Sequence, residues 1–416
     1  MNRPSPAARG AASPPGLILF SLWLMVFVAS SQVMLIAPLL PRIGEQLRIP
    51  ASLLGTLVTA DAVMVGIFAF AAGPISDKLG RRAILLVGTG ALALALAAHA
   101  LAFDYPSLLA ARALAGMAGG VLSGAAMAYV GDYFPYERRG WAAGWVMSGI
   151  AAGQIVGVPL GAVLAAERGF RLPFLALGAV CALALLLIWR AVPQPDVARF
   201  HGRLTVGAAL RAYAELVRRR EIAAAAAVFF LMFMGNAFFI TYLPTWLESS
   251  VGATPQQVAA LFLVGGIANV LSGPRAGKLS DRIGRKRLIV GASLGLAVLM
   301  VLTVPLVRGV WAAYPLFFVA MILFAARIGP FQALLTALVQ AERRGVLMSL
   351  TMGTGQIGFG IGSAASGVLY EAAGFGASTV AGAVLLVAMA ILTWRALPEP
   401  ELAGAAPVPP VPEPVG

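Results

Sequence analysis

Apolar windows of roughly 20 residues recur along the chain, and each is long enough to cross the roughly 30 Å hydrocarbon core of a bilayer as a helix. Twelve such windows are predicted, and we number them as spans 1 to 12 in chain order. They cover about 17–40, 51–73, 83–103, 106–129, 141–165, 172–191, 222–247, 256–275, 288–307, 312–337, 346–369 and 375–395. Only 11% of the 416 residues are charged, whereas soluble domains carry about 25%. The sequence therefore predicts an all-α integral membrane protein.

The longest polar gap separates span 6 from span 7 and divides the chain into two six-helix bundles. We predict a disordered cytoplasmic tail at 1–16, an N-terminal bundle at 17–191, a cytoplasmic linker at 192–221, a C-terminal bundle at 222–396 and a second disordered tail at 397–416. The first window is too long for the apolar core of a signal peptide, so we expect it to be retained as span 1.

The formal net charge of +13 is distributed unevenly between the two sides of the predicted membrane. With the N-terminus in the cytoplasm, most arginines and lysines fall in cytoplasmic loops, and the opposite loops carry only Arg42, Arg48, Arg168, Arg171 and Arg308. Because short cytoplasmic loops are enriched in these residues, the charge indicates topology rather than nucleic-acid binding. We expect a multi-pass protein of a prokaryotic inner membrane, monomeric in the bilayer, with both termini in the cytoplasm.

The loop after span 2 and the loop after span 8 carry the same pattern, Gly-x-x-x-Asp-x-x-Gly-Arg-(Arg/Lys). Matched positions lie 204 residues apart, as Gly73 and Gly277 do. Such a repeat indicates duplication of a six-helix unit, and transporters built from two parallel halves bind substrate between them. The matched residues are Gly73, Asp77, Gly80, Arg81 and Arg82 in the first loop and Gly277, Asp281, Gly284, Arg285 and Lys286 in the second.

This duplicated pattern resembles the signature loop of the major facilitator superfamily, and the resemblance extends over about 16–397. Arg112-Ala-Leu-Ala-Gly116 in span 4 is similar to the family's R-x-x-Q-G motif, with Ala115 where Gln is usual. Gly153 to Gly161 in span 5 resembles the glycine-proline motif of the antiporter branch, with Val158 as an extra residue before Pro159. The resemblance implies the twelve-helix fold and export of drugs or metabolites by exchange for protons.

Three charged residues fall well inside predicted spans: Asp61, Arg112 and Arg327. Intramembrane ionisable groups are costly and mark functional sites by default. A carboxylate in apolar surroundings favours its protonated form and a neighbouring arginine favours its ionised form, so we predict that Asp61 carries the coupling proton and that Arg112 modulates it. The alternatives are a static pair of Asp61 with Arg112, and snorkelling or substrate-independent pairing of Arg327.

The duplicated loops predict a gate. Asp77 can pair with an arginine or with a helix N-terminus, and the resemblance places the N-terminus of span 11, near 344–347, opposite it. Such an ion-pair latch would hold the halves together on the cytoplasmic side. The alternative is a solvated loop that only fixes topology.

Span 5 carries a glycine every four residues, which forms a smooth face along one side of the helix. Gly149, Gly153, Gly157 and Gly161 let a neighbouring helix approach closely. Pro159 predicts a kink in the same span. This face is interpreted either as ordinary tight packing or as the interface along which the two halves rock.

The predicted substrate cavity draws on the central spans 1, 4, 7 and 10, which the resemblance places around it. Its candidate lining residues are Gln32, Asn236, Phe239, Tyr242, Arg327 and Gln332. A mixed polar and aromatic lining suits small amphipathic organic molecules.

No enzymatic activity, cofactor or metal is predicted. The chain has no Walker sequence, and its one cysteine, Cys181, rules out a multi-cysteine metal cluster. The G-x-G-x-x-G match at 353–358 lies inside span 11 without a preceding strand, so it indicates packing rather than dinucleotide binding. Three functions remain: proton-coupled efflux, proton-coupled uptake of a nutrient or organic anion, and a non-transporting receptor or scaffold.

Overall fold

The structure, a computed structural model, describes residues 14–195, 213–215, 217–338 and 344–398. Within these ranges the chain is almost entirely helical and contains no β-strand. Among the described residues, eleven helices are long and apolar enough to cross a membrane. The last of them bends at Gly374, where φ is 76°, and so forms two spans. The predicted all-α architecture of twelve spans is confirmed.

Each half contributes six spans, some of them built from more than one helix. In the N-terminal half, spans 1, 2 and 3 are Pro15–Leu47, Ala51–Leu79 and Arg81–Leu101. Span 4 consists of Tyr105–Leu122 and Ala125–Tyr133, and span 5 consists of Tyr136–Ala152, Gly153–Gly157 and Val158–Arg168. Span 6 is Arg171–Ala191. In the C-terminal half, span 7 consists of Arg220–Ile240 and Leu243–Ser250. Spans 8, 9 and 10 are Pro255–Ile283, Arg285–Leu306 and Val310–Ala337. Spans 11 and 12 are the parts of Arg344–Ala396 before and after Gly374. The predicted tails and most of the predicted linker at 192–221 lie outside the described residues.

Interruptions within spans 4 and 7 follow from local chemistry that the apolar windows do not reveal. Span 4 breaks before Gly124, whose φ of 78° is a left-handed conformation that glycine adopts without steric cost. Span 7 breaks after Ile240. Pro244 has no N–H to donate to the Ile240 carbonyl, and its ring would clash there in a continuous helix.

Two spans, 4 and 8, begin at residues whose side chains accept from a backbone N–H of the first helical turn. Ser107 N–H donates to the Asp104 carboxylate at 2.9 Å at the start of span 4, and Gln257 N–H donates to the Thr254 hydroxyl at 3.3 Å at the start of span 8. These reciprocal caps offset the unpaired donors of a helix N-terminus. The hydrogen bonds from Ser107 also hold the pKa of the exposed Asp104 carboxyl below its usual value.

The two halves repeat the same packing. In the N-terminal half, span 3 packs on spans 4 and 6, span 4 on span 2, and span 1 on spans 5 and 6. In the C-terminal half, span 9 packs on spans 10 and 12, span 10 on span 8, and span 7 on spans 11 and 12. The two signature glycines match as well, because Gly80 and Gly284 precede spans 3 and 9 with φ of 94° and 100°. The fold therefore carries the duplication that the sequence indicates.

The halves meet mainly along two pairs of spans, and span 1 also contacts the Leu243–Ser250 part of span 7. Span 2 packs antiparallel on span 11, from Ser52 beside Gly367 to Phe70 beside Gly353. The 153–168 part of span 5 packs on span 8. We call the end of the bundle that carries Gly80 and Gly284 the signature face, and the other end the opposite face.

Candidate functional site

A cavity of about 240 Å³ lies between the two halves. It is bounded by spans 1, 2, 4 and 5 of the N-terminal half and spans 7, 8, 10 and 11 of the C-terminal half. Most lining side chains are apolar, and five of them are phenylalanines. The polar lining residues are Asp61, Arg112, Gln154, Thr241, Asn269 and Gln356.

The carboxylate of Asp61 and the guanidinium of Arg112 form a buried ion pair on the cavity wall, with Oδ2 and Nη2 3.3 Å apart. Gln32 of span 1 joins both partners. It accepts from Arg112 Nη1 at 2.9 Å, and its Nε2 lies 3.5 Å from Asp61 Oδ1. Arg112 Nε donates to the Leu57 carbonyl at 3.2 Å. The two residues predicted for proton coupling are thus in contact, and their role in coupling stays a prediction.

Glycines on span 4 bring this arginine close to span 2. Arg112, Gly116 and Gly120 lie four residues apart on one helix face. A Cβ at Gly116 would overlap the Asp61 carbonyl oxygen, and one at Gly120 would lie 2.7 Å from the Val65 carbonyl oxygen. The backbones of spans 2 and 4 therefore approach more closely than any larger residue at these two positions would allow.

The glycine face of span 5 packs against span 1 of its own half. A Cβ at any of Gly149, Gly153, Gly157 and Gly161 would overlap atoms of span 1, which belong to Trp23, Ser30, Ser31 and Leu35. The expectation that this face forms the interface between the halves is wrong. Small residues create a close contact wherever a partner helix lies, and here that partner is span 1.

Another face of span 5 reaches the C-terminal half through a π-helical turn over Gly153–Gly157. The N–H of Val158 donates to the Gly153 carbonyl, five residues back. Pro159 has no N–H to donate to the Ile155 carbonyl, so the α-helical bond is lost at this point and the wider turn follows. A π-helical turn contains one more residue than an α-helical turn. Side chains beyond the turn therefore point in a different direction from the one they would take in a continuous α-helix.

Within this turn, Gln154 forms a polar contact between the halves that the sequence did not suggest. Asn269 Nδ2 of span 8 donates to Gln154 Oε1 at 3.0 Å, and both side chains line the cavity. Gly266 on span 8 leaves room for this contact, because a Cβ there would lie 3.3 Å from the Gln154 Cβ, a tight approach. The pattern in span 5 singles out the glycines on either side of Gln154 and not Gln154 itself.

Other predicted lining residues lie outside this cavity. Arg327 is fully buried, donates from Nη2 to Asn236 Oδ1 at 2.8 Å and lies beside the ring of the lining residue Phe324. Phe239 packs near Phe375, and Gln332 is exposed. Spans 7 and 10 are apolar around most of their circumference, so hydrophobic periodicity does not indicate which face turns inward.

Tyr242, also predicted as a lining residue, instead joins the halves at the opposite face. Its hydroxyl donates to the Ala51 carbonyl at 2.5 Å and accepts from Gly55 N–H at 2.7 Å, so it lies between two groups that would bond to each other in an unbroken α-helix. The Glu371 carboxylate accepts from Ser52 N–H at 2.9 Å. Residues of spans 7 and 11 therefore cap the first turn of span 2 from the other half.

On the signature face, the described basic residues of the first loop contact their own half. Arg81 Nε lies 2.6 Å from Asp132 Oδ2, and Arg82 Nη2 donates to the Trp189 carbonyl at 2.6 Å. Gly73 lies within span 2, but the side chain of Asp77 lies outside the described part of the structure, so the predicted latch stays a prediction.

The second loop repeats this arrangement. Lys286, the counterpart of Arg82, donates to the Leu397 carbonyl at 2.8 Å beside the ring of Trp394. Arg285 lies 3.6 Å from Asp281, one turn earlier in the chain. Gly277 lies within span 8. The described contacts hold spans 3 and 9 to the neighbouring spans of their own halves.

Two repeated six-helix halves with a buried polar network on a cavity between them define a polytopic membrane transporter. The family model of the Major Facilitator Superfamily matches residues 22–326 and also 225–416. The uncharacterized MFS-type transporter YceJ of Bacillus subtilis is 30% identical over 88% of this chain and 93% of its own. The chain belongs to the major facilitator superfamily. Its fold and family are those of transporters and not of enzymes.

The chain is also similar to proteins whose names refer to different small molecules. Multidrug resistance protein MdtG of Proteus mirabilis is 26% identical over 76% of this chain and 80% of its own, and the vesicular acetylcholine transporter of Rattus norvegicus is 29% identical over 65% and 50%. The crystal structure of a D-xylose-proton symporter superposes with a TM-score of 0.75 at 18% identity, covering 93% of this chain and 99% of its own. At that identity the likeness concerns the fold alone.

Proposed function

We propose that this transporter exports small amphipathic organic molecules in exchange for protons by alternating access. One observation carries the proposal: Asp61 both lines the central cavity and contacts Arg112. The protonation of a carboxylate in this position can change when a substrate enters the cavity. The apolar, phenylalanine-rich remainder of the wall suits the hydrophobic part of such molecules.

In this mechanism the ion pair and the proton exclude each other. While Arg112 pairs with Asp61, the ionised carboxylate is favoured. When substrate or relative movement of the halves separates the pair, low-dielectric surroundings favour the protonated acid. Gln32 bonds to both partners, so a displacement of span 1 would disturb the pair as well. Exchange follows if the cavity holds the proton or the substrate, but not both.

Similarity to relatives supports efflux as the direction. MdtG carries multidrug resistance in its name, and the glycine-proline segment of span 5 resembles the antiporter branch. The described arginines and lysines concentrate at the signature face, which supports a cytoplasmic location for that face in the inner membrane. We propose a monomer with both termini in the cytoplasm.

Reconstituted vesicles with an imposed pH gradient test the proposal. Antiport moves substrate against the proton, symport moves it with the proton, and a scaffold produces no substrate-dependent proton flux. We expect Asp61→Asn to abolish uphill transport while substrate exchange at equal concentrations continues, because only coupling needs the proton. Glu167→Gln, which removes an exposed carboxylate at the end of span 5, is the matched control. Uphill transport by Asp61→Asn would place the proton carrier elsewhere.

A further inference from the structure

Arg327 in span 10 is a fully buried cation without a carboxylate partner. Its Nη2 donates to Asn236 Oδ1, whereas its Nε and Nη1 have no hydrogen-bond partner. The Nδ2 of Asn236 also has none. Among the described residues, every ion pair within 4.0 Å joins other side chains. A positive charge and three unused N–H-bearing nitrogens therefore lie together inside the C-terminal half.

The orientation of the Asn236 amide follows from the arginine itself. A guanidinium has only donors, so the amide must turn its oxygen toward Arg327 and its nitrogen away from Nη2. Reversing the amide would set two donors against each other. The lack of a partner for Nδ2 therefore does not come from a wrong assignment of the amide oxygen and nitrogen.

Arg112 provides the comparison. It is equally buried, and Gln32 and the Leu57 carbonyl accept from two of its nitrogens. Its Nη2 makes no hydrogen bond either, but it lies 3.3 Å from the Asp61 carboxylate, which balances the charge. Buried charges in proteins are as a rule paired, because an unpaired one loses its hydration without compensation. The N-terminal half follows this rule with its own residues. In the described part of the C-terminal half, no carboxylate lies within 4.0 Å of Arg327.

Access to this pair is from the cavity. The ring centroid of Phe324, one turn before Arg327, lies 5.5 Å from the guanidinium carbon, and Phe324 lines the cavity. On the side toward the signature face, the rings of Phe229 and Phe331 lie 5.1 Å apart and close the space between spans 7 and 10. A rotation of the Phe324 side chain would therefore connect the donors with the cavity.

We propose that Arg327 and Asn236 form a binding site for a small monovalent anion, either a halide or a carboxylate group, that is reached past Phe324. Guanidinium and amide N–H groups are the donors that bind carboxylates and halides, and the positive charge distinguishes an anion from water as the occupant. The anion supplies the counter-charge that no described residue provides.

The site does not depend on the direction of transport or on proton coupling. A free halide would serve as a structural counter-ion, whereas a carboxylate on an amphipathic molecule would make Arg327 a determinant of substrate class. The two sources share one chemistry, and two titrations separate them.

Thermal unfolding of the purified full chain in detergent measures the binding. Sodium chloride or sodium benzoate is titrated at an ionic strength held constant with sodium HEPES. Binding to the folded state alone raises the midpoint saturably, by about 2 °C or more once the anion far exceeds its dissociation constant. Arg327→Gln should abolish the rise. Arg275→Gln, which removes an exposed arginine from span 8, should keep it.

Asn236→Asp gives the sharper test, because it places a carboxylate of the same shape 2.8 Å from Arg327 Nη2. We expect this variant to unfold at a higher temperature without added anion and to lose the response to chloride and benzoate. This variant also keeps the test decisive if Arg327→Gln fails to fold.

Stabilisation by both anions indicates a free-anion site, and stabilisation by benzoate alone indicates capture of a carboxylate on an amphipathic molecule. Absence of a saturable rise with either anion in the wild type overturns the proposal, as does an unchanged response in Asn236→Asp. Failure of the proposed proton exchange would show in the vesicle assay and leave these midpoints unaffected.

Discussion

The hydrogen bond between Gln154 and Asn269 joins span 5 of one half to span 8 of the other, so breaking it should shift the equilibrium between conformations of the halves. Both amides line the cavity, and water can replace the lost partner. The loss is then the net value of one neutral hydrogen bond, about 1 kcal/mol. That energy corresponds to a roughly fivefold change in the ratio of joined to separated halves.

Spin-label distances between spans 5 and 8 measure this ratio. Cysteines replace the exposed residues Glu167 and Gln256 at the opposite face, in a Cys181→Ser background. We expect Gln154→Leu and Asn269→Leu each to raise the ratio of long to short distances about fivefold. The double variant should add little more, because either change alone removes the hydrogen bond.

The reciprocal variant is the control for a change of side-chain volume. Gln154→Asn combined with Asn269→Gln keeps both amides and their summed length, so the wild-type ratio should return. Strictly additive effects of the two leucine variants would refute the reasoning, since residues that share one bond must couple. An unchanged distance distribution in both single variants would refute it equally.

Three further predictions concern the loops and the glycines. Asp77→Asn should slow transport and leave membrane insertion intact, and a wild-type transport rate in well-inserted protein would contradict the latch. Gly157→Val should lower stability by about 1–3 kcal/mol through overlap with Ser31, whereas Gly144→Val, where a Cβ meets nothing within 4 Å, should have a small effect in the same thermal unfolding assay. Gly80→Ala, at a φ of 94°, should cost about 1–3 kcal/mol, and an unchanged unfolding midpoint would show that the turn relaxes.

The repeat was the part of the fold that the sequence predicted best. Gly80 and Gly284 occupy the same unusual backbone conformation at the start of spans 3 and 9, as a matched loop pattern requires. The breaks in spans 4 and 7 were missed, because an apolar window registers length and hydropathy but not the effect of Gly124 or Pro244 on the backbone.

The site was predicted less completely, and the reason is the membrane itself. Hydrophobic periodicity reveals the buried face of a helix in water, but lipid-facing and core-facing residues are both apolar. Asp61 and Arg112 could be chosen because charge inside a span is costly wherever it points. The rotation of span 10, which leaves Arg327 beside Phe324 and outside the cavity lining, has no such signal. Gln154 lies in the π-helical turn of span 5, which an apolar window does not register.

The cap on the first turn of span 2 has a consequence for hydrogen exchange. The N–H groups of Ser52 and Gly55 donate to Glu371 and Tyr242 of the other half, so their protection from deuterium depends on the halves staying together at the opposite face. When the halves part there, these amides become accessible to solvent while the rest of span 2 keeps its own helical bonds. The exchange rates of these two amides thus report how often that side opens, without an attached probe, an inhibitor or a known substrate.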